Sequence, residues 1–453
     1  MISIRSFIKN YAAAKKTGLP IVISPVQRLN IPWILAQQSL APVLAQLPFG
    51  LGSFTRYSTL AYWFQDKYRL HEQVGKTFMY VSPGMNELHS ADPLVNRQIF
   101  ARKRDFEKSE EILKATKIYG DSVVTVTGPD WQRHRRITTS PFNERNNKLV
   151  WDESIRQTQQ VMAYWSKYGT AGFNTTTHDW TIITLNILAT AAFGESWDFL
   201  GIEEHKPEAI DQRQTKTVSN IEMSSRESIA ILASSHWVHE ETDAIYKHHI
   251  DVDKMDYKET SPKLKRCLAV MLEVLRLYGP TQFVVKSTIG PHGQDLEVEG
   301  KTCSIPPNTL VMPNGIASQT LPEYWGEDTL EWKPDRWIKS TTGKDDDFGL
   351  KAYGGVSDES VLPPVKAEET FLPWSGGGRV CPGKRFSQVE FVAIISVLLN
   401  SYNIEIVPRE GESEPEARER CFAVVNNSAS ELTLQMNNPT SIRLRLVARN
   451  YGS

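Results

Sequence analysis

Apolar residues recur at helical spacing through most of the chain, in long segments separated by polar loops, and this pattern predicts a mainly α protein. The clearest segment runs from Pro262 to Tyr278, where Leu264, Cys267, Leu268, Met271, Leu272 and Leu275 share one face. Ser261 is placed to cap it, Pro262 suits its first turn, and Gly279-Pro280 cannot continue it. A second long helix is expected from Gly383, turning Phe386, Val389, Val392, Ala393, Val397 and Leu398 toward a core. Strand signals are fewer. They fall at Phe78–Ser82, Asp295–Val298, Thr302–Ile305, Thr309–Met312 and Ile442–Ala448, and they imply a small β subdomain. Between Trp337 and Phe371 the chain turns polar and rich in Gly, Asp and Ser, as suits a surface loop over 338–370.

Composition bounds what such a chain can do. With 453 residues and 40% hydrophobic content it can bury one large core or two or three smaller ones. Lys plus Arg number 51 against 53 for Asp plus Glu, so the net charge of −2 gives no global attraction for nucleic acid. The four cysteines, Cys267, Cys303, Cys381 and Cys421, have no CxxC spacing, which argues against a zinc knuckle or a disulfide framework and suits a reducing compartment. The first twenty residues hold no apolar run near the ~20 that a membrane-spanning helix requires, so no transmembrane anchor is expected in the chain as written.

The chemistry concentrates in FLPWSGGGRVCPGKRF. Three glycines, Gly376 to Gly378, precede Cys381, and Gly383 follows it at the start of the expected helix. Such a loop can lay its backbone against a flat ligand and aim N–H groups at a sulfur. A helix N-terminus and Arg379 both favour thiolate over thiol. A lone cysteine is more often a small buried hydrophobe, so the loop by itself leaves ligand and core readings open.

WSGGGRVCPG resembles the cytochrome P450 pattern F-x-x-G-x-R-x-C-x-G: Gly377, Arg379, Cys381 and Gly383 stand in register, with Trp374 in place of Phe. The resemblance implies a cytochrome P450 fold over a single domain, 1–453, in which Cys381 is the axial ligand of heme b (iron protoporphyrin IX). It further implies that Arg379 binds a haem propionate and that Trp374 packs beside the thiolate. Residues 371–400 would form the cysteine loop and its following helix.

Other segments fit the same resemblance. Glu273 and Arg276, at i and i+3, would alone read as a surface ion pair worth ~0 to 1 kcal/mol. Followed by Arg336 in WKPDRW, they are similar to the family's buried Glu-Arg-Arg triad, with Asp335 in place of the usual Glu. Trp131 and Arg135 match a W-x-x-x-R spacing that puts both on one helix face, and the resemblance has them share the propionates. Arg133 and Arg136 read as a solvated face that, with Lys384 and Arg385, could dock an acidic redox partner. In GPTQFVVKST, Phe283, Val284 and Val285 are substrate-contact candidates or ordinary core, and Lys286 stands where many members place a propionate-binding base. His236 and His239 lack a third ligand and read as surface histidines.

The resemblance is to fungal, membrane-associated members. It implies a monooxygenase of secondary metabolism that oxidises an apolar small molecule with O2, taking electrons from NADPH through NADPH-cytochrome P450 reductase. The expected site is the cytosolic face of the endoplasmic reticulum, with peripheral membrane contact and no nucleic acid partner. Residues 1–30, the N-terminal segment, begin where the family's sequence would follow its anchor. Residues 200–228 form a shortened distal region; the resemblance places the oxygen-activation motif A/G-G-x-D/E-T-T between Phe199 and Glu273, where it is not found, and Ser224-Ser225 is a poor substitute. The fold is therefore expected to be incomplete on the distal side, from an incomplete or variant gene reading or from divergence. No catalytic acid is assigned. Two alternatives follow: a haem-binding remnant without oxygen activation, and a haem-thiolate isomerase or dehydratase that needs none.

Overall fold

The computed structural model describes residues 4–449 apart from 61, 110–116, 118–119, 202–224, 247–254, 282–283, 341–358, 362–369 and 431–432. Its longer helices are α1 (Ile4–Lys15), α2 (Ile31–Leu44), α3 (Pro93–Ala101), α4 (Gly128–Thr138), α5 (Glu144–Ser166), α6 (Thr176–Phe193), α7 (Ser225–Tyr246), α8 (Lys265–Tyr278), α9 (Lys384–Ser401) and α10 (Glu414–Asn426). The predicted helix from Gly383 is α9, with Gly383 as its N-cap residue. It is the axis of the helical core. Val389 through Asn400 are all buried, and α5, α7 and α8 pack around them. A helix apolar on every side needs partners on every side.

Helix α8 starts later than its apolar pattern predicts. Ser261–Lys263 forms one 3-10 turn, and Leu264 (φ −84°, ψ 65°) breaks the path before the α-helix begins at Lys265. The cap comes from α7 instead of Ser261: Glu241 accepts from Arg266 N at 2.7 Å and Cys267 N at 3.0 Å. A carboxylate suits this end of the helix dipole. Burial opposes its charge and pushes the Glu241 carboxyl up to about 7.

The strands stand apart from the helical core. β1 (Ile21–Ile23), β2 (Thr77–Val81), β3 (Asn86–Ser90), β4 (Phe106–Lys108) and β5 (Lys286–Thr288) join β8 (Leu310–Pro313) in one six-stranded sheet, in the order β1-β2-β3-β8-β5-β4. β6 (Gln294–Val298) and β7 (Lys301–Ile305) make a separate hairpin. In the stretch read as a surface loop, β9 (Ile338–Ser340) and β10 (Glu359–Val361) pair antiparallel, while 341–358 and 362–369 lie outside the described residues. The C-terminal strand expected from Ile442 is Leu444–Ala448, paired with Tyr402–Ile406.

Strand β3 was invisible in the sequence because four of its five residues are polar, yet all five are buried. Glu87 and His89 point into a network with Arg28. The Arg28 side chain has no exposure, donates twice to Tyr57 O (3.1 and 2.8 Å) and lies 3.3 Å from Glu87. Its guanidinium stacks over Tyr62 at 4.4 Å and Tyr80 at 4.6 Å. His89 sits 2.9 Å from both Glu87 and Tyr62 OH. Burial, helped by Arg28, lowers His89 to about 4. The neutral ring therefore stabilises the fold fully above the free-histidine value of 6.5, and that contribution is lost as pH falls toward 4. His89→Gln has no such proton to gain. Its stability deficit relative to wild type is expected to shrink by about 1.4 kcal/mol per pH unit below 6.5. Paired thermal melts from pH 7 to pH 4.5 measure this, and a constant deficit would refute it.

Among the described residues no helix is long and apolar enough to cross a membrane. Helix α2 and the turn after it nevertheless leave Ile31, Leu35, Val43, Phe49 and Leu51 open to solvent.

Candidate functional site

The residues around Cys381 are positioned by local chain geometry. Gly377 has φ +64°, and a Cβ at this position would collide with the Phe100 carbonyl oxygen, so the loop can press against α3 only with glycine there. Val380 N donates to Gly377 O at 3.1 Å, and Cys381 N donates to Trp374 O at 2.9 Å, closing the loop on itself. Trp374 Nε1 donates to Ser387 Oγ at 3.2 Å, which ties the loop to the first turn of α9. Gly383 meets Phe142 and the Cys381 sulfur only at ordinary contact distance. Its place at the helix start, rather than crowding, is what the structure displays.

Helix α4 carries the W-x-x-x-R pair to this loop. Arg379 lies 4.6 Å over the Trp131 ring, and Arg135 Nη2 donates to Val380 O at 2.6 Å. Arg379 also pairs with Glu107 at 3.0 Å and donates to Val126 O at 3.3 Å. On the sheet side, the β4–β5 register sets Lys108 directly opposite Lys286. Like charges facing across a ladder are unfavourable. Burial and the Arg379 charge lower both lysines to about 8. Among the described residues, Glu107 is the carboxylate paired with this group, through Arg379. Three cations against one carboxylate make a site that an anion would relieve.

Next to these cations lies a cavity of about 360 Å³. Cys381, Trp374 and Arg379 line it together with Phe100, Leu188, Met271, Val284 and Phe386. Mostly apolar walls with few polar groups suit a large flat ligand. The set fits haem b. It offers a sulfur at a helix start, an apolar cavity against a glycine loop, and excess positive charge for two propionates. Val284 faces this cavity, whereas Val285 packs into the core under the sheet. Adjacent residues in an extended chain point to opposite sides. Phe283 and Ser224 lie outside the described residues, as does most of the 200–228 region.

Behind the loop, Glu273 and Arg276 are fully buried, not a surface pair. Glu273 accepts from Arg276 twice at 2.8 Å, from Arg336 Nε at 3.0 Å, from Lys333 N at 3.1 Å and from Trp337 Nε1 at 2.9 Å. Arg276 donates to Gln319 O at 3.1 Å, and Gln319 Oε1 accepts from Leu372 N at 2.9 Å, at the start of the cysteine loop. Asp335 is exposed and takes no part in these bonds. Lys108, Glu107 and Phe100 escaped the sequence reading, since only strand register and loop contact bring them here. His236 is exposed, but His239 is half-buried, and burial with Arg449 lowers it to about 4. Among the described residues no cluster of His, Cys, Asp or Glu could hold a metal ion.

Comparison with known proteins points the same way. The profile of the family described as Cytochrome P450 matches residues 234–432. A cytochrome P450 monooxygenase of Arthrobotrys oligospora is 24% identical over 564 aligned residues, covering 97% of this chain and 95% of that protein. The cytochrome P450 monooxygenase of the phomenoic acid biosynthesis cluster of Leptosphaeria maculans is also 24% identical, covering 93% and 92%. Both alignments run longer than the chain's 453 residues, so these relatives carry residues with no counterpart here. A crystal structure of a cytochrome P450 superposes with a TM-score of 0.59 at 15% identity, covering 84% of this chain and 97% of that one.

Proposed function

We propose, from the chain's membership of the cytochrome P450 family, that this oxidoreductase is a haem-thiolate monooxygenase acting on an apolar small metabolite. The observation that carries the reading is the meeting of Cys381, the glycine loop and Arg379 at one apolar cavity, with Lys108 and Lys286 close enough to feel the Arg379 charge. When bound, the haem supplies oxygen activation, driven by electron density from its thiolate ligand. The chain's part is to hold and insulate it. Cys381 would hold the iron through its sulfur, with Trp374 beside it, and Gly377 and Gly383 would let the loop approach. Arg379, Lys286, Trp131 and Arg135 would hold the propionates, and Lys108 would join them. Glu273, Arg276 and Arg336 keep the loop's base from moving. Val284 and the apolar wall exclude water and favour an apolar substrate.

Electrons come from NADPH through NADPH-cytochrome P450 reductase, docking on the exposed Arg133, Arg136 and Lys384 with the half-buried Arg385. The uncharged, exposed apolar residues of α2 support peripheral contact with a membrane, on the cytosolic face of the endoplasmic reticulum. The Leptosphaeria maculans relative named for a biosynthesis cluster supports a place in fungal secondary metabolism.

A second reading is a haem-binding variant without oxygen activation. It is favoured by the lack of the A/G-G-x-D/E-T-T motif between Phe199 and Glu273, because oxygen scission needs a delivered proton. Incubation with reductase, NADPH, labelled O2 and a panel of apolar terpenoids and alkyl compounds separates the two. The monooxygenase yields a product with one labelled oxygen. NADPH consumption with no labelled product in any reaction would establish the variant reading, and conversion without O2 would point to an isomerase or dehydratase.

A further inference from the structure

Glu107 lies in β4, the edge strand of the six-stranded sheet, opposite Ser287 in the ladder. Its Oε1 accepts from Arg379 Nη2 at 3.0 Å, and the two side chains are only 24% and 15% exposed. Among the described residues lining the Cys381 cavity, Arg379 is present and Glu107 is not. The carboxylate therefore holds the guanidinium from the strand side, behind the cavity wall.

Arg379 does not need this pair to stay in place. Its guanidinium also lies 4.6 Å over the Trp131 ring and donates through Nη1 to Val126 O at 3.3 Å. What Glu107 adds is negative charge. Lys108 and Lys286 donate to backbone carbonyls, those of Val124 at 2.8 Å and Phe106 at 3.1 Å, which carry no full charge. Burial and the Arg379 charge lower Lys286, and Glu107 opposes that fall. The charge that steadies these cations also repels an anion brought to Arg379 from the cavity. Two carboxylates on one guanidinium oppose each other, and partial burial leaves their repulsion poorly screened.

We propose that Glu107 is a positioning residue that competes with a haem propionate for Arg379, so that the chain holds haem less tightly than its cations alone would. The inference rests on reading Cys381 as the haem ligand and Arg379 as a propionate partner. It gives the sheet edge a part in haem retention separate from those of the cysteine loop and α4.

The test compares wild type with Glu107→Gln, which keeps the size of the side chain and an acceptor oxygen while removing the charge. Each protein is reconstituted with haem or with haem dimethyl ester, whose esterified propionates carry no charge. Release of each to excess apomyoglobin is followed by absorbance. Glu107→Gln is expected to release haem about three- to tenfold more slowly and to release the ester at the wild-type rate. Glu107→Thr, which suits a strand, serves the same comparison should the glutamine variant not fold. Haem release as fast as wild type, or faster, overturns the competition. Slower release of haem and ester alike overturns it too, since a purely structural change would not distinguish them. The ferrous carbon monoxide spectrum separates the two ideas. A red-shifted band with unchanged haem release overturns the role of Glu107 alone, and absence of the band from wild type overturns the haem-thiolate reading beneath it.

Discussion

Cys381→Ser is expected to abolish the red-shifted band of the ferrous carbon monoxide complex while leaving the apoprotein as stable as wild type. The two halves of this result have separate causes. Cys381 is exposed and is absent from every buried cluster, and the loop is held by its backbone N–H to Trp374 O, which serine keeps. Substitutions of that kind change stability by about 0.5 kcal/mol or less. The sulfur is different. Only a deprotonated thiol supplies the soft anionic ligand that shifts the band, and a serine hydroxyl stays protonated at neutral pH. Ferrous carbon monoxide spectra of the two proteins, with thermal melts of their haem-free forms, check both halves. A band surviving in Cys381→Ser removes this residue as ligand.

Glu273→Ala is expected to cost about 3 to 5 kcal/mol, the usual range for breaking a fully buried charge pair. Five hydrogen bonds end on the two Glu273 oxygens, from Arg276, Arg336, Lys333 and Trp337. Truncation would leave the Arg276 guanidinium buried without its counter-charge. Arg276 reaches the cysteine loop through Gln319 and Leu372, so the damage should include loss of bound haem. Glu273→Gln keeps acceptor capacity and should lose less. Urea unfolding together with the haem-to-protein ratio measures both effects. Wild-type stability in Glu273→Ala would mean that the network contributes nothing net to the fold.

Different parts of the fold and site were legible to different degrees. The long helices were readable wherever one face is apolar, and the register of Gly377, Arg379, Cys381 and Gly383 was readable because a tight loop needs particular residues at fixed spacing. Strand β3 was not, since Glu87 and His89 find partners in Arg28 and Tyr62, and Asn86 in Asn10 O, all distant in the chain. Ser261 had the right chemistry for a cap, yet a carboxylate from α7 took the position. Val284 and Val285 were indistinguishable by residue type. Backbone direction alone separated them.

Sequence by itself determined the mainly helical class, the motif order around Cys381 and the absence of a recognisable acid-alcohol motif, because each depends on residue types at short, fixed separations. Tertiary structure decided what those residues meet. It set Lys108 against Lys286 and buried Glu273 with Arg276. Those outcomes depend on strand register and helix packing between segments distant in the chain, and burial and charge balance exist only once such segments are in contact.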